Sequence, residues 1–324
     1  MIEYTISEND QNKRLEKFVR KVLVKAPSSF IYKLFRKNDV KVNKKAKPID
    51  YITQVGDVIQ IYITKDQEID FLDKKTISVS NKCDFSVIYE DKNILIVNKP
   101  NNLLVHDGDG KLKNDDTLSK QVLNYLINNN SYDPKKENVF IPSLAHRIDR
   151  NTSGLVVFGK TSLALQELFE AFKDHNGMEK EYETLVCGKV NEKGIVNAKL
   201  IKNESTKIVN VDEVNGVNAL THYYPIKTYD DCSLLRVIIF TGRTHQIRVH
   251  MKHINHPLVG DQKYGNKNSD ILAKKYNMEG YFLHAKRLCF HNLKGSLAYL
   301  NDKEFIAPLF NWEIKLINKL SGGF

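Results

Sequence analysis

Beyond Cys83 the chain lays down several short apolar runs too close together in sequence to be joined by helical crossovers. Residues 85–88, 94–97, 182–186, 234–240 and 288–290 read as strands. Antiparallel neighbours need only a turn between them, whereas parallel ones need a crossover of roughly a dozen residues. Two helical patterns interrupt the strands: Leu118, Val122, Leu123, Leu126 and Ile127, then Leu165, Leu168, Phe169 and Phe172. Residues 108–114 read as a loop. The expected class is mixed α/β (α+β), with a largely antiparallel mixed sheet flanked by helices.

The charge divides the chain. Residues 11–50 hold 13 basic residues and only Glu16, Asp39 and Asp50; elsewhere 36 basic residues face 36 acidic ones, so this segment carries the whole net charge of +10. Within it Leu15, Phe18, Val19, Val22 and Leu23 recur at helical spacing. Residues 26–29 interrupt that pattern, and a serine there can cap a second helix carrying Ile31, Leu34 and Phe35. Val40 and Val42 suggest a strand entering a turn, and residues 58–63 another strand after Gly56. The expected division is a small α+β unit over 1–64, a polar linker over 65–82, and a larger domain over 83–324. A basic head on a neutral body points to a polyanionic partner. A solvated lysine face is the plainer alternative.

Composition narrows the setting. The 41% hydrophobic and 27% charged content is ordinary for a soluble globular chain. No apolar run approaches the ~20 residues that span a bilayer, and no secretory apolar segment is evident at the start. Cys83, Cys187, Cys232 and Cys289 form no CxxC pair and read as reduced thiols, so a cytoplasmic location is expected, with no membrane association. His245, His250 and His253 do not share one tight helical face, and HExxH is absent, so no metal site is expected.

The stretch His146-Arg147-Ile148-Asp149-Arg150-Asn151-Thr152-Ser153-Gly154-Leu155 sets one carboxylate between two arginines, just ahead of an apolar run. Guanidinium groups can hold phosphate oxygens while the carboxylate acts on a sugar or base between them. Read alone, such an Asp is equally an ion pair or a helix cap.

The decapeptide closely resembles the signature of the RluA/RluC/RluD type of RNA pseudouridine synthases, in which the Asp is catalytic. Four more segments resemble that family in the same order: YEDKNILIVNKPNNLLVH at 89–106, KEYETLV at 180–186, TGRTHQIRVHMKHINHPLVGD at 241–261 and FLHAKRLCF at 282–290. Five collinear matches over about 200 residues are far more specific than any one alone. The head is similar to the small RNA-binding domain first described in ribosomal protein S-four. The resemblance implies a pseudouridine synthase fold and the isomerisation of uridine in RNA without a cofactor. The details are most like the RluC-type enzymes, so large-subunit ribosomal RNA is the expected substrate and tRNA the alternative. A monomer is expected, because RNA supplies the partner surface.

Carried onto this chain, the resemblance makes Asp149 the catalytic carboxylate, acting on the ribose as nucleophile or as base. Tyr182 would pack on the target base; by itself it is equally a core tyrosine. Arg243 would pair with Asp149; the plainer reading is an arginine at a helix entry capped by Thr244, with the helix over 244–254. Leu283 would line the pocket. Apart from the resemblance, Arg147, Arg150, Arg243 and Arg248 can contact phosphate and so offset the cost of unstacking a uridine. On the head, Lys33, Arg36, Lys37 and Lys41 are the expected RNA contacts. Asn151, the Phe158-Gly159 pair and the acidic run after His106 depart from the family pattern, which bears on which uridine is chosen. A silent RNA-binding or ribosome-assembly protein would not need Asp149, Tyr182 and Arg243 together. A glycoside hydrolase would need a second carboxylate at a set distance.

Overall fold

The computed structural model describes residues 1–72, 81–106, 116–173 and 177–322. The expected loop at 108–114, the acidic run after His106 and residues 73–80 of the expected linker lie outside the described residues.

The head comprises β1 (Ile2–Thr5), α1 (Leu15–Val22), α2 (Ser28–Arg36), β2 (Val40–Val42), β3 (Lys45–Ala46) and β4 (Val58–Ile61). Its strands form one antiparallel sheet in the order β1-β4-β2-β3. Phe18, Val19, Ile31, Val42, Ile59 and Ile61 are fully buried between helices and sheet. Each such side chain contributes roughly 1.5–3 kcal/mol on burial, which leaves the intervening lysines on the outside. No serine caps α2: Pro27 holds the cap position, and the Ser28 Oγ accepts from Arg20 Nη1 at 2.8 Å instead.

The stretch expected as a linker begins as a helix, α3 (Lys65–Phe71). Thr64 Oγ1 accepts from the Gln67 amide at 3.2 Å while Gln67 Oε1 accepts from the Thr64 amide at 3.1 Å, a reciprocal cap. Phe71 then sets its ring 4.7 Å from Phe30 and, with Leu72, packs on the head's core. Those two apolar residues outweigh the polar composition around them.

The body runs β5 (Ser86–Glu90), β6 (Ile94–Lys99), α4 (Leu118–Asn128), β7 (Ser143–Leu144), β8 (Ser153–Gly159), α5 (Ser162–Lys173), β9 (Met178–Cys187), β10 (Gly194–Asn197), β11 (Leu200–Lys202), β12 (Val209–Val211), β13 (Leu220–Thr228), β14 (Cys232–Ile239), α6 (Gln246–His253), α7 (Lys267–Tyr276), β15 (Leu283–Phe290), β16 (Glu304–Ile306) and α8 (Asn311–Leu320). Eight strands follow the order β10-β13-β14-β9-β15-β8-β6-β5, with β16 beside β15 and β7 beside β8. Among the described strands only β8 and β15 pair in parallel, so the sheet is mixed and largely antiparallel, as expected. Gly154 sits at that seam with φ +104°, and a Cβ there would lie 2.3 Å from the Ala285 carbonyl oxygen. Only glycine fits both the backbone and the space.

Both faces of the sheet are covered, which explains its uninterrupted apolar runs. Ile94 and Ile96 of β6 and Leu155 and Val157 of β8 pack with α5; Leu95, Val97, Val156 and Phe158 pack with α4 on the other face. The same alternation holds in β9 and β14. Tyr182, Val186, Leu235 and Val237 meet Ile247 and Met251 of α6, while Leu185, Cys187 and Leu234 meet Leu272 of α7 and Leu316 of α8. The β11–β12 hairpin leans on α6 through Leu200, Val209, Val249 and Tyr264. No helix among the described residues is long and apolar enough to cross a membrane.

Candidate active site

Asp149 sits in the turn that feeds β8, at the mouth of a cavity of about 290 Å³ between that turn, β9 and the start of α6. Its Oδ2 accepts from Arg248 Nη1 at 2.9 Å. Arg248 turns the rest of its fork to a second carboxylate: Nε and Nη2 donate to Asp261 Oδ2 and Oδ1 at 2.7 and 2.8 Å. Its guanidinium carbon also lies 4.9 and 4.5 Å from the ring centres of Tyr264 and Tyr281. Burial raises the Asp261 pKa, but the Arg248 pair and the amides of Lys263 and Tyr264 outweigh it, so the carboxyl sits below its usual range. One buried guanidinium is thus clamped on four sides and holds Asp149 in place.

The expected partner of Asp149 was Arg243, and here the structure differs. Arg243 lines the cavity but its Nε donates to the Asn218 carbonyl at 3.0 Å. It lies in the loop before α6, and its amide is held by Gln246 Oε1 at 3.1 Å. Arg248, expected as a phosphate contact, is instead buried between two carboxylates. Arg147 and Arg150 are exposed at the rim, with Arg150 Nε donating to the Asn102 carbonyl at 3.3 Å. Tyr182 and Leu283 both line the cavity and are buried. Burial, and then the charge of Asp149, push the Tyr182 pKa up, so the phenol keeps its proton at neutral pH. Lys33, Arg36 and Lys37 are exposed on α2 and just beyond it, and Lys41 lies over the Tyr62 ring at 4.9 Å; none of the four lines the cavity.

Three further groups shape the site. His245 occupies the position before α6 with φ +55°, so the helix starts later than expected and Thr244 does not cap it. The Tyr264 hydroxyl accepts from the Val209 amide at 3.0 Å and lies 2.7 Å from His245 Nδ1. With the Val209 amide bonded to its oxygen, the Tyr264 hydroxyl is free to donate to Nδ1; in that tautomer the imidazole proton sits on Nε2, 3.7 Å from Asp149 Oδ2. Burial lowers the His245 pKa; Asp149 opposes this, and Arg248 and Lys263 add to it. The left-handed backbone at His245 therefore sets the Nε2 edge of the ring toward the carboxylate.

Lys99 is fully buried, its Nζ donating to the carbonyls of Pro100, Leu103 and Arg150 at 2.7, 3.0 and 2.9 Å. It ties the 100–103 loop to the Asp149 turn. Burial brings it down to about 7, opposed by the charge of Asp149. His146 stacks on Phe172 with ring centres 4.3 Å apart, and its Nε2 accepts from the Val157 amide at 3.2 Å. Burial and the neighbouring Lys180 push it down to about 3, so it stays neutral. His245 and His146 thus serve as packing and hydrogen-bonding groups, and no group of three or more metal-ligating side chains occurs among the described residues.

A second depression of about 510 Å³ opens outward from Asp149 and is ringed by Arg147, Arg150, Lys202, Lys207, Arg243 and Lys263. Lys202 and Lys207 come from the β11–β12 hairpin, which was not foreseen. The site is therefore a small inner cavity with partly apolar walls beneath a positively charged rim.

The sequence model of the family described as RNA pseudouridylate synthase matches residues 93–253. A protein of Vibrio parahaemolyticus named ribosomal large subunit pseudouridine synthase C is 32% identical over 290 residues, covering 89% of this chain and 87% of its own length. A protein of Mycoplasma capricolum described as an uncharacterized RNA pseudouridine synthase is 32% identical over 309 residues, covering 94% of this chain and 97% of its own. Among solved structures, human RNA pseudouridylate synthase domain containing 4 shares the fold with a TM-score of 0.57 at 20% identity, over 73% of this chain and 93% of that one.

Proposed function

Because the chain belongs to the RNA pseudouridine synthase family, we propose that it isomerises specific uridines of large-subunit ribosomal RNA, with Asp149 as the catalytic carboxylate. The observation that carries this reading is the clamp on Asp149: a carboxylate held by Arg248 at 2.9 Å at the mouth of a cavity under a basic rim. Breaking the bond between ribose C1′ and the base nitrogen builds positive charge on the sugar, which a fixed carboxylate stabilises. Arg248 and Asp261 fix that carboxylate, and His245 Nε2 stands 3.7 Å from the same Asp149 oxygen that Arg248 holds. Tyr182 and Leu283 form walls suited to a flat base, and the protonated phenol can donate to it. Arg147, Arg150 and Arg243 engage the flanking phosphates. The relatives named for the ribosomal large subunit support that choice of RNA.

We assign residues 1–64 to RNA binding and 83–324 to catalysis, acting as a monomer. Lys33, Arg36, Lys37 and Lys41 on the head would position folded RNA by its phosphates rather than read its sequence.

The test is pseudouridine mapping on ribosomal and transfer RNA from cells lacking the protein, with rescue by wild type or Asp149→Ala. Ribosomal sites lost on deletion and restored only by wild type are the expected result. Equal rescue by both proteins would remove Asp149 from the chemistry, and loss confined to tRNA would replace the proposed substrate.

A further inference from the structure

One cation in the inner cavity has nothing of opposite charge beside it. Lys180 stands two residues before Tyr182 on β9, so strand geometry turns both side chains to the same face. Its ammonium lies 5.9 Å from the centre of the Phe172 ring and 4.0 Å from where a Cβ on Gly242 would sit. Among the described residues it has no hydrogen bond or ion pair. Lys99 and Lys160, by contrast, are satisfied, Lys99 by three carbonyls and Lys160 by Glu90 and the Asp91 carbonyl. The charged and titratable groups that share the cavity with Lys180 are His146, Arg147 and Asp149 from the Asp149 turn, Arg243 and His245 from the loop before α6, Arg248 on α6 and Tyr182 on its own strand. The ammonium is half-buried, so it gives up part of its hydration to a site that offers no partner in return.

Position separates this cation from the others. Lys180, Phe172, Tyr182 and Leu283 line the inner cavity and not the rim; Arg150, Lys202, Lys207 and Lys263 line the rim and not the inner cavity. Phosphates meet the rim cations first. What enters between Phe172, Tyr182 and Leu283 is the flat, partly apolar base.

Resting on the proposed uridine isomerisation, we propose that Lys180 is a further catalytic residue, whose ammonium stabilises the uracil as it leaves the ribose with negative charge. When the C1′–N1 bond breaks, its electron pair departs on N1 and spreads onto the two carbonyl oxygens. The ammonium keeps its proton and offsets that charge, while Asp149 answers the complementary change on the sugar. After the base turns, C5 supplies the electron pair of the new bond to C1′. C5 then loses its proton and N1 gains one, so the product is an isomer and no co-reactant is consumed. Burial, helped by Arg243, brings the Lys180 pKa down to about 8, so the group is charged below that pH and neutral above it.

Lys180→Met and Lys180→Arg in the full chain, with Asp149→Ala as control, separate the possibilities. We expect Lys180→Met to lower the single-turnover rate ~100-fold, the scale for losing one preorganised charge-stabilising group. RNA affinity should stay within about threefold, because ground-state binding does not depend on this group. The melting temperature should hold or rise, because an unpaired, half-buried charge is replaced by an apolar chain of similar shape. Lys180→Arg should recover part of the rate, and its kcat/KM should not fall above pH about 8 as the wild-type profile does. An unchanged rate in Lys180→Met overturns the proposal. So does a loss carried by RNA affinity alone, which would make Lys180 a phosphate contact, or a rate that falls only in step with the melting temperature. If wild type converts no uridine in any RNA, the proposed function fails and takes this role with it; if wild type converts it and Lys180→Met does so equally, only the role of Lys180 fails.

Discussion

Asp261→Asn tests the clamp without touching any group that would meet RNA. Asp261 is buried and gives both oxygens to Arg248, at 2.7 and 2.8 Å. Hydrogen bonds to charged groups contribute roughly 1.5–3 kcal/mol each, and breaking a buried pair by removing one partner costs about 3–5 kcal/mol. Asparagine keeps one acceptor but turns its amide toward a guanidinium, so we expect a loss of about 3 kcal/mol. For a unit of this size that is roughly 6–12 °C in melting temperature. The pH dependence adds a second constraint. The Asp261 carboxyl is depressed in the folded state, so its contribution is fully present above the unfolded value of about 4 and is lost as pH falls through the folded one. Urea unfolding of both proteins should therefore show a gap that is constant from pH 7 to about 5 and narrows below about 4. With Arg248 less constrained, Asp149 loses its fixed position, and the single-turnover rate should fall roughly 10- to 100-fold. Equal stability at pH 7, or a gap that does not change on acidification, would refute the clamp.

His245→Gln, whose amide nitrogen can replace the Nε2 donor, should retain more activity than His245→Asn or His245→Ala, the latter falling roughly 10-fold or more; equal single-turnover rates for all three would remove the donor from the account. Gly154→Ala forces a Cβ to within 2.3 Å of the Ala285 oxygen at φ +104°, so unfolding should be easier by about 3 kcal/mol or more, read by urea titration. Neutralising Lys33, Arg36 and Lys37 together should weaken RNA binding and flatten its salt dependence, by roughly one unit of slope for each phosphate left without a cation. An unchanged slope would exclude that face of the head.

The parts of the fold that were legible in the sequence are those where local pattern and tertiary demand agree. The run from Leu155 to Phe158 and that from Ile94 to Val97 read as strands because both faces of each are buried. The helical spacing in α1 was equally plain, since its apolar stripe faces one small sheet. β1 was missed although Ile2, Tyr4 and Ile6 alternate with polar residues; its pairing with β4 lies more than fifty residues away. The strands from β10 to β13 carry weak apolar patterns and depend on one another for register. In the site, family resemblance marked the right segments but not which arginine reaches Asp149. A signal was available: Arg248 stands between the apolar Ile247 and Val249 on a helix that is buried around it, and a buried guanidinium requires carboxylates. Its second partner, Asp261, is fixed only by the turn before α7.

The division between inner cavity and outer rim follows from the energetics of reaching a base in folded RNA. Unstacking a nucleotide costs roughly a few kcal/mol before any chemistry begins. That cost must be met by groups that engage the rest of the RNA, which is where the exposed Arg147, Arg150 and the hairpin lysines stand. The inner groups face the opposite requirement. A carboxylate and an ammonium that act on developing charges gain most when water is excluded and neither has to reorganise. Arg248 meets that requirement for Asp149 by being fastened to Asp261 and stacked between Tyr264 and Tyr281 before substrate arrives. Lys180 is the complement: left unpaired in the free protein, it is the cation that lines the inner cavity and not the rim, with no carboxylate already matching its charge. Stability is thereby given up at Lys180 and recovered at the Arg248–Asp261 pair. Combining Lys180→Met with Asp261→Asn should accordingly restore part of the stability lost in Asp261→Asn while leaving the enzyme slower than either single variant.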